Sequence, residues 1–367
     1  MYVPHLIFWE VTKGCNLRCI HCRATPTELA SPADLSTEEA FRVIDEIASV
    51  SQSILVLSGG EPLFRRDLFD IAAYGTQRGL RMALATNGTL VTQEVAQRVL
   101  DAGIQRVSIS LDGGQASTHD SFRAIPGAFD GAIRGFRNLK AVGMSMQINT
   151  TITNHNYKEI DNILKLALEL GTDAWHLFLL VPVGCGLGIA DEQMLSAQTY
   201  EVLLNWIYDQ SKVQPMNIKA TCAPHYFRVR AQRILQDRKE GREAPAFNPA
   251  RHGHPNTGGD GNGGAHPWFS LTKGCLAGTG ICFISHKGEV NPCGYLPILA
   301  GDLRRDSFAD IWRDSSIFEQ LRDMNNLTGK CGLCEFKHIC EGCRARAFAA
   351  TGDYLAEEPF CVYEPRR

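Results

Sequence analysis

Three cysteines spaced Cys15-x3-Cys19-x2-Cys22 constrain this chain more than any other feature. They stand just past an apolar run, residues 6–11, that reads as a buried strand. Thiolates are soft ligands that favour iron–sulfur clusters or zinc. A structural zinc site wants four protein ligands near at hand, yet the next cysteine along the chain is Cys185. Three thiols on one short loop therefore point to a cluster with one iron left open to a ligand that is not protein. A zinc site completed from elsewhere in the chain is the rival reading.

The chain has 13 cysteines in 367 residues, an odd total with no export signal ahead of it, which argues for metal ligation over disulfides. Cys15, Cys19 and Cys22 lie at the start, eight more lie between Cys275 and Cys361, and only Cys185 and Cys222 stand alone. A net charge of -3 points to no nucleic-acid partner. No apolar stretch is long enough to span a bilayer. The expected location is the cytoplasm.

Short apolar runs alternate with amphipathic stretches. Strands are expected at 6–11, 54–57, 81–85, 106–111, 145–151 and 174–181, and helices at 37–49, 67–78, 93–102, 129–141 and 157–170. Gly79, Gly103, Gly143 and Gly171 read as helix stops. Ser36 with Glu39 reads as a capping box, and Asn154 or Asn156 as a cap for the helix at 157. Such alternation means parallel strands with crossover helices. Six units are too few for a closed eight-unit barrel, so the fold class expected is α/β, a partial (β/α)6 TIM-like barrel over residues 1–215. Chemistry in such sheets sits at the C-terminal strand ends. The cysteine loop, Gly59-Gly60-Glu61-Pro62, Asn87 and Ser110-Leu-Asp112 all follow strands and so share one rim.

Beyond residue 182 the pattern breaks into helices at 197–213 and 226–238, within and after which residues 216–270 read as a helical, His- and Gly-rich linker. Residues 271–367 read as a small cysteine-rich module: a hairpin about His286-Lys-Gly288, short helices at 307–313 and 317–324, then Cys331-x2-Cys334-x5-Cys340-x2-Cys343 and Cys361. So little apolar core per residue implies that metal supplies much of its folding energy.

The Cys15, Cys19, Cys22 spacing resembles that of radical S-adenosylmethionine (SAM) enzymes. The resemblance implies that these thiols hold a [4Fe-4S] cluster, that SAM takes the open iron, and that electron transfer from the cluster cleaves SAM to a 5′-deoxyadenosyl radical. It implies roles for the rim as well. Gly59, Gly60, Glu61 and Pro62 resemble the motif that binds the SAM amino group, with Glu61 as counter-charge. Asn87 and Ser110 fall where related enzymes contact SAM ribose or carboxylate. His21 stands where an aromatic residue is usual and would stack on adenine, and Val181 would supply an apolar adenine contact.

Cys275-x12-Gly288-x4-Cys293, the Cys331 to Cys343 run and Cys361 resemble a SPASM domain, which houses auxiliary [4Fe-4S] clusters. The family's pairing would give Cys275, Cys282, Cys293 and Cys343 to one cluster, and Cys331, Cys334, Cys340 and Cys361 to the other. Two residues separate Cys340 from Cys343 where three are commoner, which leaves the partition and the number of clusters open, and zinc ribbons use the same ligands. Residues 8–15, 21–24, 221–226 and 274–280 resemble the tetrapyrrole-modifying branch, closest to haem synthases that oxidatively decarboxylate two propionates of iron-coproporphyrin III to vinyls, giving haem b. Sister enzymes acting on siroheme-derived side chains and peptide-modifying maturases are the alternatives. The branch implies a tetrapyrrole substrate and an external electron donor of flavodoxin or ferredoxin type. Arg23, His225, Tyr226 and Arg228 are candidate propionate contacts, and His252, His254 and His266 candidate ligands of the substrate iron, though a solvated flexible loop is the preferred reading of those histidines. Cys222 fits either a cluster ligand or a free structural cysteine.

Overall fold

A computed structural model describes residues 2–242 and 274–366. The strands are β1 (Leu6–Glu10), β2 (Ile54–Ser58), β3 (Arg81–Thr86), β4 (Arg106–Ser110), β5 (Ser145–Ile152), β6 (Ala174–Leu179), β7 (Asn217–Thr221), β8 (Ile281–Ile284), β9 (Glu289–Asn291) and β10 (Gly301–Asp302). Helices α1 (Thr37–Val50), α2 (Leu68–Gln77), α3 (Gln93–Asp101), α4 (Ala116–Arg123), α5 (Ala128–Ala141) and α6 (Ile160–Glu169) connect the first six strands. One-turn α7 (Ala190–Gln193) and α8 (Ala197–Val213) lead to β7, and α9 (Tyr226–Lys239) follows it. The C-terminal part carries α10 (Phe308–Asp314), α11 (Ser316–Arg322), α12 (Gly329–Leu333) and α13 (Arg344–Thr351).

All ten strands form one sheet, in the order β10-β9-β8-β1-β2-β3-β4-β5-β6-β7. Strands β1 to β7 are parallel, each beside its sequence neighbour. This is the expected α/β partial barrel with one strand more than the six units read from sequence. The extra strand, β7, is short and buries only Ile218 and Ala220 within it, so it carries little periodic signal. The cysteine-rich module is continuous with the barrel: β8 runs parallel to β1, from Leu6↔Ile281 to Trp9↔Ile284.

Local signals behave as expected in most places. The Ser36 hydroxyl accepts from Glu39 N at 3.2 Å while the Glu39 carboxylate accepts from Ser36 N at 2.8 Å, a complete capping box. Asn156 does not cap a helix; its amide donates to the carbonyls of Asp112 and Thr151, both at 2.8 Å, and so ties β5 to the rim. Helix α4 has no counterpart in the sequence reading because Ala-Ser-Thr-His-Asp-Ser-Phe-Arg lacks an apolar stripe. Arg251, His252, His254 and His266, with most of the expected linker, fall outside the described residues.

Candidate active site

Cys15, Cys19 and Cys22 pack together with Leu17, Ile125 and Ala128 at the mouth of the sheet. Burial pushes the Cys15 thiol up to about 12 and the Cys22 thiol up to about 11. The loop is clamped by the turn after β2. Gly60 N donates to Thr12 O at 2.9 Å and Glu61 N to Gly14 O at 2.7 Å. A Cβ on Gly60 would stand 2.3 Å from Gly14 O, so this glycine is required for two backbones to stack.

Glu61 is fully buried and its carboxylate is engaged by protein donors: Leu63 N at 3.2 Å, Thr86 Oγ1 at 2.7 Å and Asn87 N at 2.8 Å. Burial raises it to about 7 against those donors. It braces β2 to β3. Asn87 likewise donates to Asn16 Oδ1 at 2.9 Å and accepts from Thr89, pinning the cysteine loop to the end of β3. Pro62 opens the short turn that follows Glu61, and Ser110 closes β4 on the same rim, half-buried.

Two expectations from the sequence fail geometrically. His21 is stacked on Phe122, with centroids 3.9 Å apart and planes 5° from parallel. Its side chain is only 7% exposed, which leaves no open face for an adenine. Burial pulls it down to about 3, so it is neutral despite Asp112 at 3.5 Å. Val181, expected against adenine, lies instead in an apolar group with Ala277, Leu296, Leu321 and Cys343.

The sequence reading missed a buried ion pair beside the loop. Arg123, the last residue of α4, pairs with Asp112 and puts Nη1 3.5 Å from Cys19 Sγ. Asp112 also accepts from Thr151 N at 2.8 Å. Burial alone would pull Arg123 down, but Asp112 and the Cys19 thiol more than offset that and hold it charged.

The C-terminal cysteines fall into two groups. Cys331, Cys334, Cys340 and Cys361 line one pocket, with about 400 Å³ of empty space. Arg344 and Arg228 aim guanidiniums at Cys331 and Cys361, 3.9 and 3.8 Å from sulfur. Cys275, Cys293 and Cys343 pack together around Leu296 and Val181. Cys282 does not join them. It is fully buried in the main core, in register with Ile7 of β1. Cys222 packs in the same group as those three cysteines. Among the described residues no three His, Cys, Asp or Glu side chains close on a single ion.

Tyr295, half-buried, packs in this second group, and burial with the nearby Cys222 thiol raises its phenol. The remaining candidates are otherwise engaged. Arg23 donates to Glu10 at 2.9 Å and covers the Phe283 ring at 4.4 Å. Arg228 pairs with Glu201 at 2.5 Å, Tyr226 is in the core, and His225 is fully buried and pulled down to about 4 by burial. Cys185 donates to Ala24 O at 3.2 Å, strapping the turn after β6 onto the cysteine loop.

Family models bear on this arrangement. One described as the radical SAM superfamily matches residues 9–167, and one described as an iron–sulfur cluster-binding (SPASM) domain matches residues 275–349. Over 362 residues the chain is 49% identical to the AdoMet-dependent heme synthase of Methanosarcina barkeri (strain Fusaro / DSM 804), covering 99% of this chain and 97% of that one. The chain belongs to this radical SAM family. The pre-heme d1 synthase of Dinoroseobacter shibae is more distant, 30% identical over 97% of this chain and 85% of its own. The crystal structure of Streptococcus suis SuiB bound to S-adenosylmethionine shares the fold, with a TM-score of 0.72 at 16% identity, over 99% of this chain and 78% of that one.

As a radical SAM enzyme the protein uses a [4Fe-4S] cluster and SAM, and its SPASM domain uses auxiliary iron–sulfur clusters. The donor set fits. Three grouped thiols with a cation beside them suit one cluster, and two further four-thiol groups suit two more. No helix among the described residues is long and apolar enough to cross a membrane.

Proposed function

We propose that this radical SAM enzyme makes haem b by oxidative decarboxylation of two propionates of iron-coproporphyrin III. The observation that carries the reading is 49% identity to a heme synthase across 99% of the chain, against 30% for the pre-heme d1 relative. Each propionate loses one hydrogen atom, one electron and CO2, leaving a vinyl group. When bound, the first cluster with SAM supplies the hydrogen-abstracting radical, and the auxiliary clusters offer a place for the electron.

The chain's own residues set the stage. Cys15, Cys19 and Cys22 would hold the first cluster, and Arg123 keeps a positive charge on Cys19 where thiolate character is needed. Gly59 to Pro62, Asn87 and Ser110 would form the SAM-facing rim, with Glu61 acting through its charge because its oxygens are engaged within the protein. Cys331, Cys334, Cys340 and Cys361 would hold one auxiliary cluster, with Cys275, Cys293 and Cys343 contributing to the other. Tyr295, packed beside Cys222 and Cys293, would offer a flat apolar substrate an aromatic wall. We assign the enzyme to the cytoplasm, with a flavodoxin- or ferredoxin-type protein as the external donor. Thirteen cysteines, most of them grouped for metal ligation and not for disulfides, support a reducing compartment.

The test is anaerobic: reconstitute the protein, add SAM, reductant and iron-coproporphyrin III, and follow haem b by mass. Cleavage of SAM without loss of two CO2 keeps the family and rejects the substrate. Zinc in place of iron, with no SAM cleavage, sinks both.

A further inference from the structure

We infer that Cys222, not Cys282, is the fourth thiolate of the auxiliary cluster held by Cys275, Cys293 and Cys343. The inference rests on the auxiliary-cluster reading above and goes beyond it by reassigning a ligand. Three observations converge on it. Cys222 packs in one group with Cys275, Cys293 and Cys343.

The backbone at Cys222 is also special. It follows the last residue of β7 and has φ of 55°, left-handed, which a residue with a Cβ seldom adopts. Arg346, 0% exposed and paired with Glu358, donates to the Cys222 carbonyl at 2.7 Å and so fixes this conformation. Glu358 in turn accepts from Cys343 N at 2.8 Å, so one buried ion pair holds both thiol-bearing backbones. Strain kept in place by a buried brace is expected where a side chain must be aimed.

Cys282 has the opposite surroundings. It sits inside β8, in register with Ile7, among the aliphatic side chains of the main core. Burial alone raises its thiol, and no other ionisable group contributes. Moving it toward Cys275 would mean breaking the β1–β8 pairing. The family's pairing, carried over by resemblance, would give Cys282 to Cys275, but Cys282 packs in the main core and not with Cys275. The consequence is that this cluster draws three thiols from the cysteine-rich module and one from the rim of the barrel.

The full-length chain, reconstituted anaerobically as wild type, Cys222→Ala, Cys222→Ser and Cys282→Ala, tests this by iron and sulfide content and by EPR of the oxidised and reduced protein. Cys282→Ala should keep wild-type iron and spectra. Cys222→Ala should lose about four irons per chain, or about one with the signal of a three-iron cluster in the oxidised sample. Cys222→Ser, which keeps an oxygen ligand and nearly the same volume, should shift the spectrum of one auxiliary cluster and leave the SAM-dependent signal unchanged. Should Cys222→Ala fail to fold, the serine variant decides, since an unaltered spectrum there overturns the assignment. Full iron with wild-type spectra in Cys222→Ala also overturns it, as does loss of that cluster in Cys282→Ala. Failure of the underlying reading shows separately, as a wild-type protein that takes up the iron of only one cluster.

Discussion

Replacing Gly60 with alanine should separate the cysteine loop from the turn that clamps it. The new Cβ would lie 2.3 Å from Gly14 O and 2.7 Å from both Gly14 C and Lys13 O, all backbone atoms that no rotamer change can move. Restoring ordinary contact near 3.4 Å means parting the two loops by about 1.1 Å. The Glu61 N to Gly14 O bond, now 2.7 Å, would then stretch to about 3.8 Å, outside hydrogen-bonding range. The Gly60 N to Thr12 O bond would go with it. Two backbone hydrogen bonds at about 1 kcal/mol each, with overpacking strain of the usual 1–3 kcal/mol, give a loss of about 3–5 kcal/mol. A shift of about 1 Å at the ligand loop should slow SAM cleavage by roughly a hundredfold. Urea unfolding of the cluster-free protein, iron content after reconstitution and 5′-deoxyadenosine production measure the three effects. Gly188→Ala is the control: nothing lies within 4 Å of its Cβ, and its φ is not left-handed. If Gly60→Ala matches Gly188→Ala in stability and iron content, the stacking of these loops is not what holds the cysteines.

Arg123→Met should cost about 3–5 kcal/mol, because it leaves Asp112 buried without its cation. It should also make the SAM-binding cluster harder to reduce, read by EPR-monitored titration, while an unchanged potential would make Arg123 purely structural. Burial pushes Glu358 up, but Arg346, His225 and backbone donors more than offset it, so its carboxyl titrates below the usual range. A depressed carboxyl stabilises above the ordinary value of about 4.3 and loses that contribution as pH falls through its folded value. Thermal unfolding of wild type should therefore weaken on acidification more steeply than that of Glu358→Gln, and parallel slopes would refute the pairing. Removing the clusters with a chelator under reductant should raise amide exchange first near α12, which buries no residue of its own, and leave β2 to β5 protected. Uniform loss of protection would mean that the metal also holds the barrel.

The legible parts of the chain were those written as local pattern. Runs such as Ile-Leu-Val-Leu at β2 and glycine stops such as Gly79, with φ of 82°, gave the barrel almost strand by strand. Helix α4 escaped because its residues are mostly polar, and β7 because only two apolar residues, Ile218 and Ala220, mark its buried face. The site was legible as chemistry but less so as geometry. Cys15, Cys19 and Cys22 are adjacent along the chain and could only meet. Which of Cys222 and Cys282 joins Cys275 depends on the β1–β8 pairing, a contact between residues far apart in sequence that no periodicity records. His21 shows the same limit: its position suggested an adenine, whereas Phe122, from the unforeseen α4, already covers it.

The same pairing explains how two distant parts of the chain keep a fixed separation. An electron removed from a substrate has to travel from the region of the first loop to the auxiliary thiols, so their spacing must not drift. An interface between independent domains would leave it free to vary, since such interfaces are modest and mobile by default. Here β1 leads into Cys15 while β8, hydrogen-bonded alongside it, belongs to the module that carries Cys275 and Cys293. Glu10, at the end of β1, accepts from Arg23 next to Cys22 at 2.9 Å and contacts His286 just after β8 at 2.8 Å. One carboxylate thus ties the radical loop and the cysteine-rich module to the same strand. The separation of the thiol groups is then set by sheet geometry, whose strand spacing of about 4.8 Å scarcely varies, and not by how two bodies happen to dock.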